Sequence, residues 1–454
     1  MKLPAYRFFR QSAWLLFGIL VIAFSCNPER APESAEFRDA RALSLEWNRL
    51  LVDLEQYTPG YRAPITASML AYTGCAAWEA ARPGLKGCVS IQNYCPGYFQ
   101  YSRAPTVFYI PASLNAAYAE IIRQFFPTAP PHLLEKIQLL EAEQARALRR
   151  QTDSETYRKS ANYGKRVAVA VWRWAATDTI GRDAFLYNYD RKYVPPECPG
   201  CWQPGGSHPM PALLPDWGRV RTFVVQPGVL EIKPPAQYDE HSNSAYYAEA
   251  MEVFTMSQPL SKENHWIAEL WSDDVPGFTV TPAGRWLAIT NQAVEKADVS
   301  LPEMLELYLK LGLGLNDAMA VCWEAKYRFN RERPEAYINR TIQADWKPLH
   351  DNPSFPGYPS GHSALGAVAA ALLTELFGEN IDFTDRTHNS RKEFVGKARK
   401  YRSFDEMAYE NAVSRVALGV HFRMDCEEGL RLGRIIGRRV ASLPLYNDKA
   451  VLAR

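Results

Sequence analysis

The sequence predicts an all-α protein, a helical bundle with long irregular loops, and three observations support this fold class. Apolar residues recur at helical spacing along most of the chain, and strand-like alternation of apolar and polar residues is scarce. The last third contains an Ala/Leu run between Ser360 and Gly378, which are favoured at the start and the end of a helix. With 454 residues, of which 47% are hydrophobic, the chain is long enough to bury a large core.

The N-terminus has the pattern of an export signal, which we assign to residues 1–25. Basic residues come first, an apolar stretch follows at residues 12–24, and small Ser25 precedes Cys26. This order is typical of a bacterial lipoprotein signal with Cys26 as the lipidated residue. The apolar stretch is short for a bilayer span, so an uncleaved anchor is the weaker alternative, together with simple secretion.

These features predict an exported protein at the periplasm or cell surface. We expect lipid anchoring to the cell membrane or the outer membrane, with no other contact between protein and membrane. Residues 27–39 are polar and contain Pro28 and Pro32, as suits a tether. The oligomeric state is not encoded in any pattern of the sequence.

Beyond the tether, the pattern predicts one compact unit made of two helical parts. The N-terminal part covers residues 40–300 and includes a Pro/Gly-rich loop at 188–240, and the C-terminal part covers residues 301–445. Ser403 and Glu406 have capping-box spacing at the start of one helix. The later helices are expected at 244–256, 262–271, after Pro282, at 302–329, after Ser360, from Phe404 and at 427–442.

Charge and cysteine content narrow the possible functions. The 52 basic and 50 acidic side chains nearly balance, so nucleic acid is not an expected partner. Cys88 with Cys95 and Cys198 with Cys201 are spaced for local disulfides in an exported protein. The second pair stands alone in a Pro/Gly-rich loop, which favours a structural staple over a zinc or redox site.

The first candidate for chemistry is the Ser-Gly-His triplet at residues 360–362. Ser360 is a favoured N-cap, and the free backbone N–H groups of a first helical turn form an anion site. Gly361 allows close approach to the backbone, and His362 adds a group that titrates near neutral pH. Most serine-capped helices only cap, so this triplet alone leaves the structural interpretation open.

Two further stretches carry polar groups at suggestive spacing. Lys326 and Arg333 are seven residues apart, which is two turns on one helix face, and the following proline predicts that the helix ends at Arg333. Arg415 and His421 are six apart, and the glycine at 419 between them offers a break that brings both to one point. Asp425, one turn beyond His421, is placed to orient its imidazole. Each stretch alone also fits a solvated basic face or a buried histidine.

Together the three stretches resemble the signature of one superfamily. It is shared by type 2 phosphatidic acid phosphatases, bacterial acid phosphatases and vanadium-dependent haloperoxidases. The phrases "FPGYPSGHS", "WEAK" and "LGVHFRMD" look most like the haloperoxidases, and similarity to bacterial lipoprotein-type members extends upstream to residues 202–223 and 267–289. The matching positions are Lys326, Arg333, Pro334, Ser360, Gly361, His362, Ser414, Arg415, His421 and Asp425.

The resemblance implies the helical-bundle fold of the superfamily and a cradle for vanadate, which phosphate also occupies. Lys326, Arg333 and Arg415 neutralise the oxyanion, and Ser360 with Gly361 completes the cradle. In haloperoxidases the residue matching His421 is the ligand of vanadium and the one matching His362 takes the proton of hydrogen peroxide. The resemblance also implies a surrounding layer in which Asp274, with Asp273 as substitute, holds Arg415, while Trp323 and Phe355 line the site.

The same motifs leave two reactions open. A haloperoxidase oxidises a halide with hydrogen peroxide, and the resemblance to bacterial members favours iodide or bromide over chloride. A phosphatase of the superfamily instead forms a phosphohistidine at the residue matching His421, and that matching His362 protonates the leaving group. A third possibility is an anion-binding surface protein without turnover, although the complete set of polar residues argues against it.

Overall fold

The computed structural model describes residues 33–95, 100–205, 209–273 and 275–446, and α-helices dominate this part of the chain. The predicted all-α class is confirmed. The predicted signal at 1–25, Cys26 and Asp274 lie outside the described residues. None of the described helices combines the length and the apolar character that a membrane span requires.

Five long helices build the N-terminal part. The first, α1, begins at Ala35 because the Ser34 side chain accepts a hydrogen bond from the backbone N–H of Phe37. Residues 35–39 therefore belong to this helix rather than to the predicted tether. The five are α1 (Ala35–Tyr57), α2 (Ala63–Ala81), α3 (Ile110–Phe125), α4 (Pro131–Leu148) and α5 (Ser154–Ala175).

Eight helices follow, and the longest of them joins the two parts. The helix α9 packs against α2, which is buried at every position because it is apolar on all sides. It also packs against α11, which contacts α12 and α13. The eight are α6 (Ala245–Ser257), α7 (Lys262–Leu270), α8 (Pro282–Lys296), α9 (Leu301–Phe329), α10 (Pro334–Thr341), α11 (Gly361–Phe377), α12 (Phe404–Leu418) and α13 (Arg423–Ala441).

Strands are few and short, so sheet structure contributes little to the core. Two antiparallel pairs occur in the described residues. In the first, Tyr189 lies opposite Leu213, and in the second Thr384 lies opposite Lys400. The strands are β1 (Tyr189–Asp190), β2 (Ala212–Leu213), β3 (Phe383–Asp385) and β4 (Arg399–Tyr401).

Close packing of α11 on α13 positions the start of α11. A Cβ atom on Gly429 would lie only 2.5 Å from the carbonyl oxygen of Ser360, so only glycine permits this approach. The backbone N–H of Ser360 donates to the carbonyl of Asp425 across the same contact, at 2.9 Å. The first turns of the two helices are therefore held together where the sequence places Ser360 and His421.

Two predictions about helix ends are wrong, and one predicted capping box forms only in part. The helix α9 ends at Phe329, as the predicted range 302–329 has it, and not at Arg333, as the following proline suggests, because Asn330 adopts the left-handed conformation with φ 46° and its N–H closes the helix on Lys326. The helix α13 begins at Arg423 rather than at residue 427. Only half of the predicted capping box forms: Ser403 caps the N–H of Glu406, whereas the Glu406 carboxylate accepts from the N–H of residue 402.

The long connection at 188–240 wraps the outer face of α9. The buried carboxylate of Asp317 accepts three backbone N–H groups of residues 223–225, at 2.7 to 2.8 Å. Near its start, the Cys198–Cys201 disulfide forms, as the sequence permits, whereas Cys88 and Cys95 are not bonded to each other. The disulfide turn is tied to residues 330–332 by the Trp202 N–H and the Gly200 carbonyl. The loop thus holds the segment that leads into Arg333.

Candidate active site

The ends of several helices meet at one buried point, and the polar residues singled out in the sequence lie there. Lys326 is in the last turn of α9, Arg333 caps α10, and Ser360 caps α11. Arg415 is in the last turn of α12, and His421 lies in the turn between α12 and α13. The exposed fraction is 0% for Lys326 and Ser360, 2% for Arg415, and 3% for Arg333 and His421.

Lys326 is held by the loop that precedes α11. Its Nζ donates to the carbonyl oxygens of Pro356 and Gly357, at 2.9 and 2.8 Å. The same ammonium lies 5.0 Å from the centre of the Phe355 ring. These contacts immobilise the charge without neutralising it, because a carbonyl carries no formal charge.

Arg333 reaches this point from a different element, so the predicted shared helix face with Lys326 does not exist. Its backbone is extended, with ψ 160°, as the following proline requires. Its Nε donates to the Phe355 carbonyl at 3.1 Å, and its Nη1 donates to the Val420 carbonyl at 2.7 Å. The Nη1 atom also lies 3.4 Å from Nε2 of His421. The guanidinium and the imidazole therefore border the same small space.

Gly419 provides the predicted break between Arg415 and His421. It closes α12 in the left-handed conformation, with φ 89°, which a residue with a side chain adopts only at a cost. The chain turns there, so that His421 faces back toward the helix end that carries Arg415. The Arg415 Nε donates to the Ser414 hydroxyl at 3.0 Å, and its Nη2 donates to the Ala268 carbonyl at 3.4 Å.

The predicted orienting role of Asp425 matches its position. The Oδ2 atom lies 2.9 Å from Nδ1 of His421 and also accepts the backbone N–H of Phe422, at 3.2 Å. Because the Arg333 guanidinium can only donate, the nearby Nε2 is the accepting nitrogen of the imidazole, and the hydrogen lies on Nδ1, toward Asp425. Its Nε2 atom, next to Arg333, then presents a lone pair.

His362 is supported by a buried ionic cluster that the sequence analysis missed. Its Nε2 lies 3.3 Å from the carbonyl oxygen of Asp273, which can only accept, so this nitrogen is the donor. The Asp273 carboxylate contacts Nε2 of His388 at 2.7 Å and Nη1 of Arg285 at 3.6 Å. Arg285 in turn pairs with Asp385. His388 lies in an irregular loop without a recognisable motif, and Arg285 lies in a helix without an unusual pattern of residues. The sequence therefore gave no reason to assign either residue to the site.

Of the two aspartates predicted to hold Arg415, the structure describes only one, Asp273. The contacts of the Asp273 carboxylate are to Arg285 and His388, so it does not serve as the substitute partner of Arg415. It is buried at 4% exposure, and its Oδ1 atom receives both contacts. Asp274 lies outside the described residues, and its assignment stays a prediction.

Burial and the surrounding cations shape the electrostatics of the site. Burial, followed by Arg415, lowers the pKa of His362 to about 3. Burial, followed by Arg333 and Lys326, holds the pKa of His421 well below its usual range. Burial lowers the pKa of Lys326 to about 8. Both imidazoles are therefore neutral at pH 7, and an anion bound here would raise all three pKa values by offsetting the positive potential.

A cavity of about 310 Å³ opens onto part of this site, and Lys326, Arg333 and Ser360 are not among the residues that line it. Trp323 and Phe355 form part of its wall, with ring centres 5.0 Å apart, which agrees with their predicted position. The 188–240 connection contributes Met210 and Leu213 to the lining. The polar groups of the site that face the cavity are Gly361, His362, Arg415 and His421.

The donor set fits a tetrahedral oxyanion. Lys326, Arg333 and Arg415 bring three formal positive charges to one buried region. Buried cations normally face a compensating anion. Each of the two guanidinium groups can donate to a pair of oxygens of such an ion, and the lone pair on Nε2 of His421 can bind its central atom. Vanadate and phosphate both satisfy these requirements.

The known sequences and structures that resemble this chain include vanadium-dependent haloperoxidases and an acid phosphatase. The family described as the VCPO second helical-bundle domain matches residues 306–445. A vanadium chloroperoxidase of Curvularia inaequalis is 23% identical over 274 residues, which span 45% of this chain and 44% of that relative. The chain thus covers less than half the length of this curated relative. A non-specific acid phosphatase of Salmonella typhimurium is 24% identical over 199 residues, which span 39% of this chain and 68% of the phosphatase.

Solved structures extend the similarity over nearly the whole chain. The crystal structure of a bacterial vanadium-dependent iodoperoxidase superposes with a TM-score of 0.78 at 26% identity, covering 90% of this chain and 98% of that one. A bacterial vanadium-dependent chloroperoxidase superposes with a TM-score of 0.65 at 17% identity, covering 85% and 92% respectively. The second match shows a common fold only, whereas the first also extends the sequence similarity beyond the matched C-terminal domain.

Proposed function

We propose that this chain, which resembles the vanadium haloperoxidase family in sequence and fold, is a vanadate-dependent haloperoxidase. In this proposal it oxidises a halide with hydrogen peroxide to hypohalous acid, and iodide or bromide is used in preference to chloride. One observation carries the proposal: Nε2 of His421 presents its lone pair into a buried region that holds three cations. The similarity to an iodoperoxidase over 90% of the chain supports the choice of halide.

Each polar residue has a defined task in this reaction. Vanadate, when bound, supplies a Lewis-acid centre for the activation of hydrogen peroxide. Arg333 and Arg415 grip its oxygens, and Lys326 adds a positive charge on the side of Phe355. Asp425 keeps the hydrogen of His421 on Nδ1, which leaves Nε2 as the ligand atom.

His362 handles the proton. Because Nε2 donates to the Asp273 carbonyl, Nδ1 carries the lone pair and is the atom that accepts a proton from hydrogen peroxide. Its low pKa in the cationic surroundings keeps it neutral and ready to accept. With an oxyanion in the site, the pKa of His362 would be higher, and the imidazole could hold the proton that peroxide gives up.

The direct test is reconstitution with orthovanadate. The purified protein is dialysed against a chelator, loaded with orthovanadate, and given hydrogen peroxide with iodide, bromide or chloride in parallel. We expect triiodide or brominated dye to appear only in the vanadate-loaded sample, with chloride as the poorest substrate. Absence of vanadate-dependent turnover with every halide would refute the proposal.

A phosphatase is the second candidate, because the same residues suit it and an acid phosphatase is among the relatives. Here Nε2 of His421 attacks phosphorus in a phosphomonoester or lipid phosphate, and His362 protonates the leaving oxygen. Hydrolysis of p-nitrophenyl phosphate by the metal-free protein, inhibited by vanadate, would support this function. Oxyanion binding without either turnover would identify the protein as an anion-binding surface protein instead.

The proposal includes a location. We infer export and lipid attachment at Cys26, on the basis of the signal pattern in the first 25 residues. Cys26→Ala is expected to move the protein from the membrane fraction to the soluble fraction and to abolish incorporation of labelled palmitate. An unlabelled wild-type protein, or a variant that stays in the membrane fraction, would contradict lipid anchoring.

A further inference from the structure

His388 belongs to none of the motifs, yet it is connected to the active site through one intermediate residue. Its Nε2 atom lies 2.7 Å from Oδ1 of Asp273. The backbone carbonyl of the same Asp273 accepts a hydrogen bond from Nε2 of His362, at 3.3 Å. The exposed fraction is 3% for His388 and 4% for Asp273, so both contacts are shielded from water. Asp273 therefore links the two histidines, with its carboxylate toward one and its carbonyl toward the other.

The position of Asp273 depends on its side-chain contacts. It lies in the irregular segment between α7 and α8, three residues after α7 ends at Leu270. In a helix or a strand the backbone ladder fixes the direction of each carbonyl, and such a ladder is not present at Asp273. Its carboxylate contacts His388 at 2.7 Å and Nη1 of Arg285 at 3.6 Å, so His388 makes the shorter contact. The direction of the Asp273 carbonyl thus depends on where His388 holds the carboxylate.

His388 is itself held in place, as an anchor must be. It lies in the connection between β3 and β4, and its carbonyl accepts the backbone N–H of Arg391 at 3.0 Å. Just before it, the Asp385 carboxylate accepts the N–H and the hydroxyl of Thr387, at 2.9 and 2.7 Å. Asp385 also pairs with Arg285, the second partner of Asp273. The anchor is therefore part of a closed buried network rather than of an exposed loop.

The protonation states in this network suit a fixed hydrogen bond. Burial raises the pKa of Asp273, but Arg285 and His388 outweigh it, and the carboxylate is ionised at pH 7. Burial, followed by Arg285, lowers the pKa of His388 to about 4, so its imidazole is neutral and donates from Nε2 to the carboxylate. Burial and Arg415 lower the pKa of His362, and both the charge and the carbonyl of Asp273 oppose them.

We propose that His388 is a positioning residue of the active site, which fixes the orientation and the tautomer of His362 by anchoring Asp273. This inference rests on the proposed haloperoxidase function, in which Nδ1 of His362 accepts the proton of hydrogen peroxide. A general base works only when its lone pair points at the proton. His388 does not line the active cavity, so it acts on the reaction only through Asp273. Without this anchor the Asp273 carbonyl can turn away, and the hydrogen of His362 can occupy either ring nitrogen.

The test uses two substitutions at His388 that differ in reach. His388→Gln places an amide donor at about the position of the imidazole Nε2, whereas His388→Asn retains the amide on a shorter side chain that does not reach Asp273. Both variants keep a polar group in the buried network. His132→Asn makes the shorter exchange at an exposed position on α4 and serves as the control. Thermal unfolding and the dissociation constant for orthovanadate verify that each protein is folded with an intact cradle.

We expect His388→Asn to lower kcat/KM for hydrogen peroxide about tenfold, because a misdirected base accepts the peroxide proton less often. The KM for iodide and the dissociation constant for orthovanadate should change by less than about threefold, since His388 holds neither ion. His388→Gln and His132→Asn should retain the wild-type kcat/KM. An unchanged kcat/KM in His388→Asn, an equal loss in His388→Gln, or a joint loss of vanadate affinity and turnover would overturn the proposal.

A second measurement needs neither vanadate nor turnover. The metal-free proteins are isotope-labelled at the histidine nitrogens for NMR, and the signals of His362 are assigned by their loss in His362→Gln. We expect His362 of the wild type to carry its hydrogen on Nε2, and His362 of His388→Asn to be a mixture of both tautomers. A wild-type hydrogen on Nδ1, or the same single tautomer in both proteins, overturns the proposal. Failure of the haloperoxidase proposal itself would show separately, as absence of halide oxidation by the wild type.

Discussion

Arg415→Ala is expected to weaken orthovanadate binding by about a hundredfold or more. The guanidinium is 2% exposed and stands at the end of α12 beside the cavity, so it acts on a bound oxyanion without screening by water. Truncation of a buried charged partner costs about 2–5 kcal/mol, and 2.7 kcal/mol corresponds to a hundredfold change in affinity. Isothermal titration calorimetry of the metal-free protein with orthovanadate measures the effect.

Two variants serve as controls for this prediction. Arg415→Lys retains the charge but not the paired donors, so we expect an intermediate loss of about tenfold. Arg402→Ala removes an exposed arginine just before the same helix, whose ion pair with Glu406 is a surface pair, and should leave vanadate affinity unchanged. A dissociation constant that stays the same in Arg415→Ala would remove this residue from the cradle.

The second large effect is expected for His421→Ala, which should abolish turnover with any substrate of this site, by about a thousandfold or more. Its Nε2 atom bears the lone pair that faces Arg333 at 3.4 Å, and no neighbouring side chain at that position replaces it. Asp425→Asn is expected to reduce activity by about 10–100-fold, because it disturbs the group that orients the imidazole. Initial rates with iodide and with p-nitrophenyl phosphate measure both variants.

The same variant separates the two candidate reactions. If the protein is a phosphatase, incubation with a labelled phosphomonoester and alkaline quenching should yield an acid-labile phosphohistidine in the wild type and none in His421→Ala. If it is a haloperoxidase, we expect no such adduct in either protein, while vanadate-dependent iodide oxidation is lost only in the variant. His132→Ala, at an exposed position, controls for the loss of a histidine as such.

The motif residues were recognised as a set by their resemblance to the superfamily signature, and several relations among them are set by residue type at short range. Ser360 caps a helix, Gly361 allows close approach to the first turn of that helix, and Asp425 lies one turn after His421. Each of these relations is local in the chain. The break at Gly419 was predictable for the same reason, because it depends only on the φ angle of this one glycine. The all-α fold class also follows from local periodicity, which persists over many turns.

The relation between Lys326 and Arg333 shows where local reasoning fails. A spacing of seven residues fits one helix face, yet Asn330 ends the helix first and Arg333 enters from the cap of the next. Residues 330–332, which follow the end of the helix, are hydrogen-bonded to Gly200 and Trp202 from more than a hundred positions away. A local sequence pattern does not predict such a contact between distant residues.

The residues that support His362 could not be predicted from the sequence, for a related reason. His388 lies in an irregular segment, and Arg285 lies in a helix whose apolar pattern does not single it out. Both residues are buried against a carboxylate far along the chain, that of Asp273. Only the folded protein shows that these groups lie beneath or beside the motif residues.

The sequence by itself therefore determined the helical class, and its resemblance to the superfamily signature marked the residues of the expected oxyanion cradle. The helical class depends on residue type and on spacings within a few helical turns, which the chain encodes directly. The tertiary structure alone decided which element presents each cation and how His362 is supported through Asp273. Those properties depend on packing between distant segments, where burial converts ordinary polar side chains into strong and directional electrostatic groups.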